Sequence, residues 1–198
     1  VTALREGCLF PRFSASGDLL FCQSRSYPDC SDEECNRRKS EEAEKSPVKA
    51  KIFESLMYRH WDTWDDGMVD HVMVVDLATG AVGDLMAGDG WGLTGAWTVT
   101  PDDKWLVYQT KDPKTEAITT DHELYRVPVA KPGETKGFQS RERLTKNPAA
   151  DYDPVVSPDG KWILYRSQAK PGFESDRWAL TQMPVDGGPA KPVTKLPL

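Results

Sequence analysis

The chain has 198 residues, 38% of them hydrophobic and 28% charged, with a formal net charge of −6 from 25 Lys plus Arg against 31 Asp plus Glu. This composition fits one domain with a core of its own and excludes a disordered tail, while no apolar run approaches the ~18 residues that span a bilayer. Basic residues are scattered or lie beside acidic runs, as at Arg37-Arg38-Lys39, so no basic surface is available for nucleic acid, and neither nucleic acid nor membrane is an expected partner.

The opening Val1-Thr2-Ala3-Leu4-Arg5-Glu6 lacks the apolar stretch of a signal peptide, so any export signal is expected to have been removed already. The four cysteines, Cys8, Cys22, Cys30 and Cys35, are clustered near the start. An even, clustered set suits disulfides and an oxidising compartment, periplasmic or extracellular; buried free thiols and a zinc site are the alternatives. Cys30-x4-Cys35 is loose for zinc and no His lies close in sequence. Cys8 and Cys22 are nearly equidistant from the turn at Ala15-Ser16, which favours Cys8–Cys22 with Cys30–Cys35 among the three possible connectivities.

The first strand–turn–strand unit is Phe13-Ser14-Ala15-Ser16-Gly17-Asp18-Leu19-Leu20-Phe21. It is interrupted by a polar stretch, residues 24–51, which reads as an inserted surface loop with a short exposed helix near Glu41–Lys49. A tryptophan-rich run, Arg59-His60-Trp61-Asp62-Thr63-Trp64-Asp65-Asp66-Gly67, leads into the strand Val72-Met73-Val74-Val75-Asp76-Leu77 and the turn at Ala78-Thr79-Gly80. Trp91 and Trp97 then flank the entry to a second unit, where they read as packing residues.

The first unit's pattern recurs as Val99-Thr100-Pro101-Asp102-Asp103-Lys104-Trp105-Leu106-Val107-Tyr108 and as Val156-Ser157-Pro158-Asp159-Gly160-Lys161-Trp162-Ile163-Leu164-Tyr165. Pro158 presets φ for a tight turn, and Gly160 supplies the left-handed residue that completes it. A second hairpin follows each time, at Glu123-Leu124-Tyr125-Arg126-Val127-Pro128-Val129 and at Trp178-Ala179-Leu180-Thr181-Gln182-Met183-Pro184-Val185-Asp186-Gly187-Gly188, ending near Arg143-Leu144-Thr145 and Pro192-Val193-Thr194.

Four strands per repeat is the signature of propeller blades. The expected fold is all-β: a partial β-propeller of about three four-stranded blades at residues 8–86, 95–147 and 151–195, with a simple β-sandwich as the plainer alternative. Three blades are fewer than a closed ring uses, so the chain reads as a fragment of a larger propeller.

The Arg-His-Trp-Asp-x-Trp-x-Asp-Gly run, followed by a strand ending Asp-Leu-Ala-Thr-Gly, resembles the N-terminal propeller of prolyl oligopeptidase-family serine peptidases, in the bacterial dipeptidyl and acylaminoacyl peptidase branch. The Ser-Pro-Asp-Gly-Lys-Trp repeat is also similar to the widely shared TolB-type propeller repeat. The resemblance implies that this part caps a C-terminal α/β-hydrolase domain of the same parent chain and restricts entry to short peptides. The sequence holds no G-x-S-x-G nucleophile elbow, so no catalytic residue is assigned here and the segment alone is not expected to hydrolyse peptides. A TolB-like propeller acting as a protein-binding module is the alternative function.

Substrate-rim candidates follow from residue chemistry beside that resemblance. Trp61, Asp62, Trp64, Asp65 and Asp66 combine aromatic faces with carboxylates, both of which favour a peptide's ammonium group. The plainer role for the tryptophans is packing between blades, with the acids capping turn amides. Asp151, Tyr152 and Asp153 enter the third blade near the channel of a usual propeller, and their plainer role is turn formation. His60, His71 and His122 are the only histidines; the spacing of His60, Asp62 and His71 matches no standard metal pattern, so structural bonds are expected of them. No cofactor and no metal is expected.

Overall fold

The computed structural model describes residues 2–54, 56–134 and 141–193. Among the described residues, apart from one α-helix and a short 3-10 turn, every regular element is a strand. The chain divides into two compact units: Val1–Phe13, Gly17–Gly92 and Ala130–Gln139 form the first, and Ser14–Ser16, Leu93–Val129 and Ser140–Leu198 the second.

The first unit is built on β1 (Leu9–Phe13), β2 (Leu19–Ser26), β5 (Val69–Asp76) and β6 (Val82–Asp84), an antiparallel sheet in that order. Between β2 and β5 lie α1 (Glu33–Lys45) and the short hairpin β3 (Arg59–His60) and β4 (Thr63–Trp64). Phe21, Val72, Val74 and Val75 are fully buried, as alternating and continuous apolar runs at the centre of a sheet should be. Cys8–Cys22 and Cys30–Cys35 are both bonded, with Cα separations of 5.5 and 5.4 Å. The first ties the chain before β1 to β2; the second closes the start of α1.

The helix corrects the expected position near Glu41–Lys49. Asp32 caps its N-terminus by accepting from the Cys35 amide at 2.8 Å, Glu33 and Glu34 occupy the positive first turn, and Ser46 closes the end. Arg37 pairs with Glu34 and Glu41, and Asn36 anchors the inner face by accepting from the Tyr27 amide at 2.9 Å. The sheet also persists further than expected, because β2 runs on to Ser26 before the chain leaves it.

The second unit holds two sheets. One is β7 (Trp97–Val99), β8 (Trp105–Thr110), β9 (Glu123–Pro128) and β10 (Glu142–Arg143); the other is β11 (Asp151–Val156), β12 (Trp162–Ser167), β13 (Ala179–Pro184) and β14 (Lys191–Pro192). Both are up-and-down antiparallel meanders, the construction of propeller blades. Val107, Leu124 and Leu144 of the first pack with Ile163, Tyr165 and Met183 of the second in one hydrophobic core. Full burial of a side chain such as Ile163 contributes roughly 1.5–3 kcal/mol.

The repeated turns adopt the expected form: Gly17 and Gly160 have φ of +78° and +70°. The second copy puts Asp103 at that position with φ of +56°, a conformation that Asp tolerates better than most residues. The first strands of their sheets, β1 and β11, also share a bulge, at Phe10 (φ +52°) and Asp153 (φ +55°), each immediately before a proline. No sequence signal short of aligning Phe10-Pro11 with Asp153-Pro154 would have located it.

Candidate functional site

The rim candidates fall into both units. In the first, Trp61, Asp62, Trp64, Asp65 and Asp66 sit on and after the β3–β4 hairpin. Trp61 occupies its tip at φ +51° and is 94% exposed, which corrects the expectation that the tryptophans pack between blades. Trp64 instead stacks within the insertion, with ring centroids 5.9 Å from Phe53 and 6.0 Å from Tyr58, and the Arg59 guanidinium 5.5 Å from its ring. Asp65 and Asp66 do cap turn amides, accepting from Gly67 N at 2.8 Å and Met68 N at 3.1 Å. Asp66 also accepts from Arg25 of β2 at 2.5 Å, tying the insertion to the sheet. The result is a braced aromatic platform with an unburied indole at its end.

In the second unit, Asp151, Tyr152 and Asp153 open β11 but have different surroundings. Asp153 is ion-paired with Arg166, whose Nε lies 2.6 Å from its carboxylate and whose guanidinium stacks 4.8 Å from the Trp178 ring. The bulge amide of Asp153 donates to Gln109 Oε1 at 2.9 Å. Tyr152 packs edge-on to Trp178 and lies 3.0 Å, hydroxyl to Nδ1, from His122. Burial, with the charge of Lys111, holds the His122 pKa below its ordinary value, so the neutral ring can accept a hydrogen bond from the Tyr152 hydroxyl.

Asp151 is fully buried. Asn147 Nδ2 donates to its Oδ1 at 3.2 Å, while Oδ2 has no hydrogen-bond partner among the described residues. Burial raises its pKa. Glu123, which begins β9, is likewise buried and accepts from Arg143 and from the Thr145 hydroxyl. Desolvation outweighs both donors and, with the nearby charge of Asp151, pushes Glu123 up to about 7, although the same contact strengthens the Arg143 cation. Arg143, Thr145, Asn147, Asp151, Tyr165 and Met183 face a half-open cleft of about 430 Å³. Burial, and then the two carboxyls, raise the Tyr165 pKa.

His71 Nδ1 lies 2.8 Å from Asp84 and its Nε2 lies 2.9 Å from the Asp89 carbonyl, inside the first sheet. The buried His71 and the half-buried His122 therefore both make structural hydrogen bonds. No group of three or more His, Cys, Asp or Glu side chains suited to a metal ion occurs among the described residues. Sequence reasoning singled out Asp151, Tyr152 and Asp153 but missed Glu123, Arg166 and Trp178. Glu123 and Asp151 each begin a strand of the repeat, which was the available signal that they share an end of the sheets.

No family model matches the chain. It is similar to the protein named probable dipeptidyl-peptidase 5 of Aspergillus niger, with 26% identity over 206 aligned positions, 91% of this chain and 28% of that protein. Dipeptidyl-peptidase 5 of Trichophyton equinum is 28% identical over 78% of this chain and 24% of its own length. The bacterial dipeptidyl-peptidase 5 of Porphyromonas endodontalis is 27% identical over 71% of this chain and 21% of its own. Among solved structures, TolB from Acinetobacter baumannii superposes with a TM-score of 0.52 at 14% identity, over 93% of this chain and 31% of that one. That likeness concerns the fold, and the fold is a partial propeller. The chain is a propeller segment related in sequence to dipeptidyl-peptidase proteins, and it spans about a quarter of the length of those relatives.

Proposed function

We propose that this chain is the non-catalytic propeller portion of an exported serine peptidase of the prolyl oligopeptidase type, one that removes dipeptides. Its work is to gate the access of short peptides and to dock on a C-terminal α/β-hydrolase domain of the same parent chain. The observation that carries this reading is the likeness to dipeptidyl-peptidase 5 proteins across 91% of the chain, on sheets that have the propeller construction. The shares of those relatives left unmatched leave ample length for a hydrolase domain. Two bonded disulfides support a periplasmic or secreted location.

Two surfaces suit the gating role. The braced hairpin offers Trp61 with Asp62 beside it, an aromatic face and a carboxylate for a peptide's ammonium end. In the second unit Tyr152 and Trp178 flank the Asp153–Arg166 ion pair, an aromatic site whose carboxylate is already paired.

The test uses the full-length parent protein and a chromogenic peptide that releases a dipeptide, alongside the same peptide with its N-terminus acetylated. Cleavage of the free but not the blocked peptide is expected, with KM rising several-fold in Trp61→Ala and Asp62→Ala while kcat stays within twofold. A full-length protein that hydrolyses neither peptide would overturn the peptidase reading. Unchanged KM in both variants would remove the hairpin from the gate.

A further inference from the structure

Successive side chains on a strand point to opposite faces, but the bulge between Tyr152 and Val155 breaks that alternation. Tyr152 and Asp153 therefore converge on one cluster. Tyr152 packs edge-on to Trp178 with ring centroids 5.2 Å apart, and Asp153 holds Arg166, whose guanidinium stacks 4.8 Å from the same indole. The neighbouring sheet fixes this arrangement. Buried Gln109 accepts from the Asp153 amide at 2.9 Å and donates to the Thr94 carbonyl at 3.3 Å. A Cβ at Gly95 would collide with the Gln109 side chain, so the glycine leaves it room. Tyr152 is held in turn by the bond between its hydroxyl and His122.

The polar groups of the ion pair are only partly used. Arg166 Nε and Nη2 both bond to one oxygen of Asp153, Oδ2. Among the described residues nothing donates to Asp153 Oδ1 and nothing accepts from Arg166 Nη1, and both side chains are about half-exposed. The pair thus presents a carboxylate oxygen beside guanidinium N–H groups, above an aromatic floor. An ammonium ion there meets the guanidinium as well as the carboxylate, and an anion meets the reverse, so neither gains much. A neutral group that is donor and acceptor together satisfies both. The peptide main chain is such a group, because the N–H and C=O of one extended residue point to the same side.

We propose that Asp153, Arg166, Tyr152 and Trp178 form a binding site for the main chain of an extended peptide. One residue of the peptide donates its N–H to Asp153 Oδ1 and accepts at its C=O from the Arg166 guanidinium, while an apolar side chain packs on the two rings. The inference rests on the peptide reading above and deepens it. It assigns this site to the body of the peptide, with no need of a free amino terminus. The rings and the ion pair are already held in place, so little ordering is left for binding to offset.

The probe is the uncharged peptide acetyl-Ala-Phe-Ala-amide, titrated into the full-length protein and followed by calorimetry or saturation-transfer NMR. N-methylation of its Phe nitrogen is expected to raise Kd by about fivefold or more, the loss of one hydrogen bond. Arg166→Gln should do the same. The sheet accommodates glutamine there, since Trp105-Leu106-Val107-Tyr108-Gln109 matches Trp162-Ile163-Leu164-Tyr165-Arg166. Asp153→Asn should also weaken binding, because Arg166 keeps the amide oxygen and turns the amide nitrogen toward the ligand. The free-amine form of the peptide should bind within about twofold of the capped one, as expected of a neutral recognition group. No binding of the capped peptide, equal binding of the N-methylated one, an unchanged Kd in both variants, or a free amine bound far more tightly would each overturn the site. Dipeptide release is measured separately. Binding of this kind in a protein that hydrolyses no peptide would overturn the peptidase reading and leave the site standing.

Discussion

His71 Nδ1 lies 2.8 Å from Asp84 Oδ2 within the first sheet, and both side chains are buried. Burial disfavours the charged imidazole, but the hydrogen bond and charge of Asp84, helped by the Asp89 carbonyl, outweigh it and raise the pKa above 6.5. A folded pKa above the unfolded one gives stabilisation that is complete below about 6.5 and is lost as pH rises through the folded value. The urea midpoint of the first unit is therefore expected to be higher at pH 6 than at pH 9. His71→Asn should cost about 3 kcal/mol at pH 6, because Asp84 is left buried with a poorer partner, and should flatten that dependence. A wild-type midpoint identical at the two pH values would contradict the assignment.

Glu123 produces a second slope of the same sign at lower pH. Desolvation, the largest influence, raises its pKa to about 7, so its contribution is complete below the unfolded value near 4.5 and is lost as pH rises toward 7. The full shift corresponds to roughly 3 kcal/mol. Glu123→Gln keeps an oxygen for the Thr145 hydroxyl and removes the ionisation. Denaturation at pH 5 and pH 7.5 should show a large difference for the wild type and a small one for the variant. An unchanged difference in the variant would move the titration to another group.

The disulfides should be complete and unequal. Protein isolated without reductant is expected to show no alkylatable thiol by mass analysis. Loop closure makes the Cys8–Cys22 bond, with a sequence separation of 14, worth about 3 kcal/mol, and the Cys30–Cys35 bond, with a separation of 5, about 2 kcal/mol. Paired Cys→Ala variants measured by denaturation test that order.

Trp61 is exposed and held in the left-handed backbone region. Such a conformation costs an L-residue about 1–2 kcal/mol, which glycine avoids. Trp61→Gly should therefore leave the thermal midpoint equal or higher. Trp64→Ala, which breaks the stack with Phe53 and Tyr58, should loosen the insertion and increase amide exchange across residues 59–64. A large loss of stability in Trp61→Gly would mean that the indole packs in solution.

What the sequence determined by itself was the repeat. Turn residues and apolar alternation act over a few neighbouring positions, so Pro158, Gly160 and the strands around them were legible, as was the Cys8–Cys22 pairing across a hairpin. The helix was misplaced because its strongest local signal, Asp32 as cap, sits inside the Cys30–Cys35 loop, and charge patterning alone pointed further along. Tertiary structure decided whatever depends on distant partners. Asp151, Tyr152 and Asp153 are consecutive, yet one is a buried carboxyl, one an aromatic contact of His122 and one an ion-paired bulge. Trp61 and Trp64 look equivalent in sequence, but a tight hairpin puts one at its tip and stacks the other against its base. Burial and charge environment come from residues brought together across strands, and no local pattern carries that information.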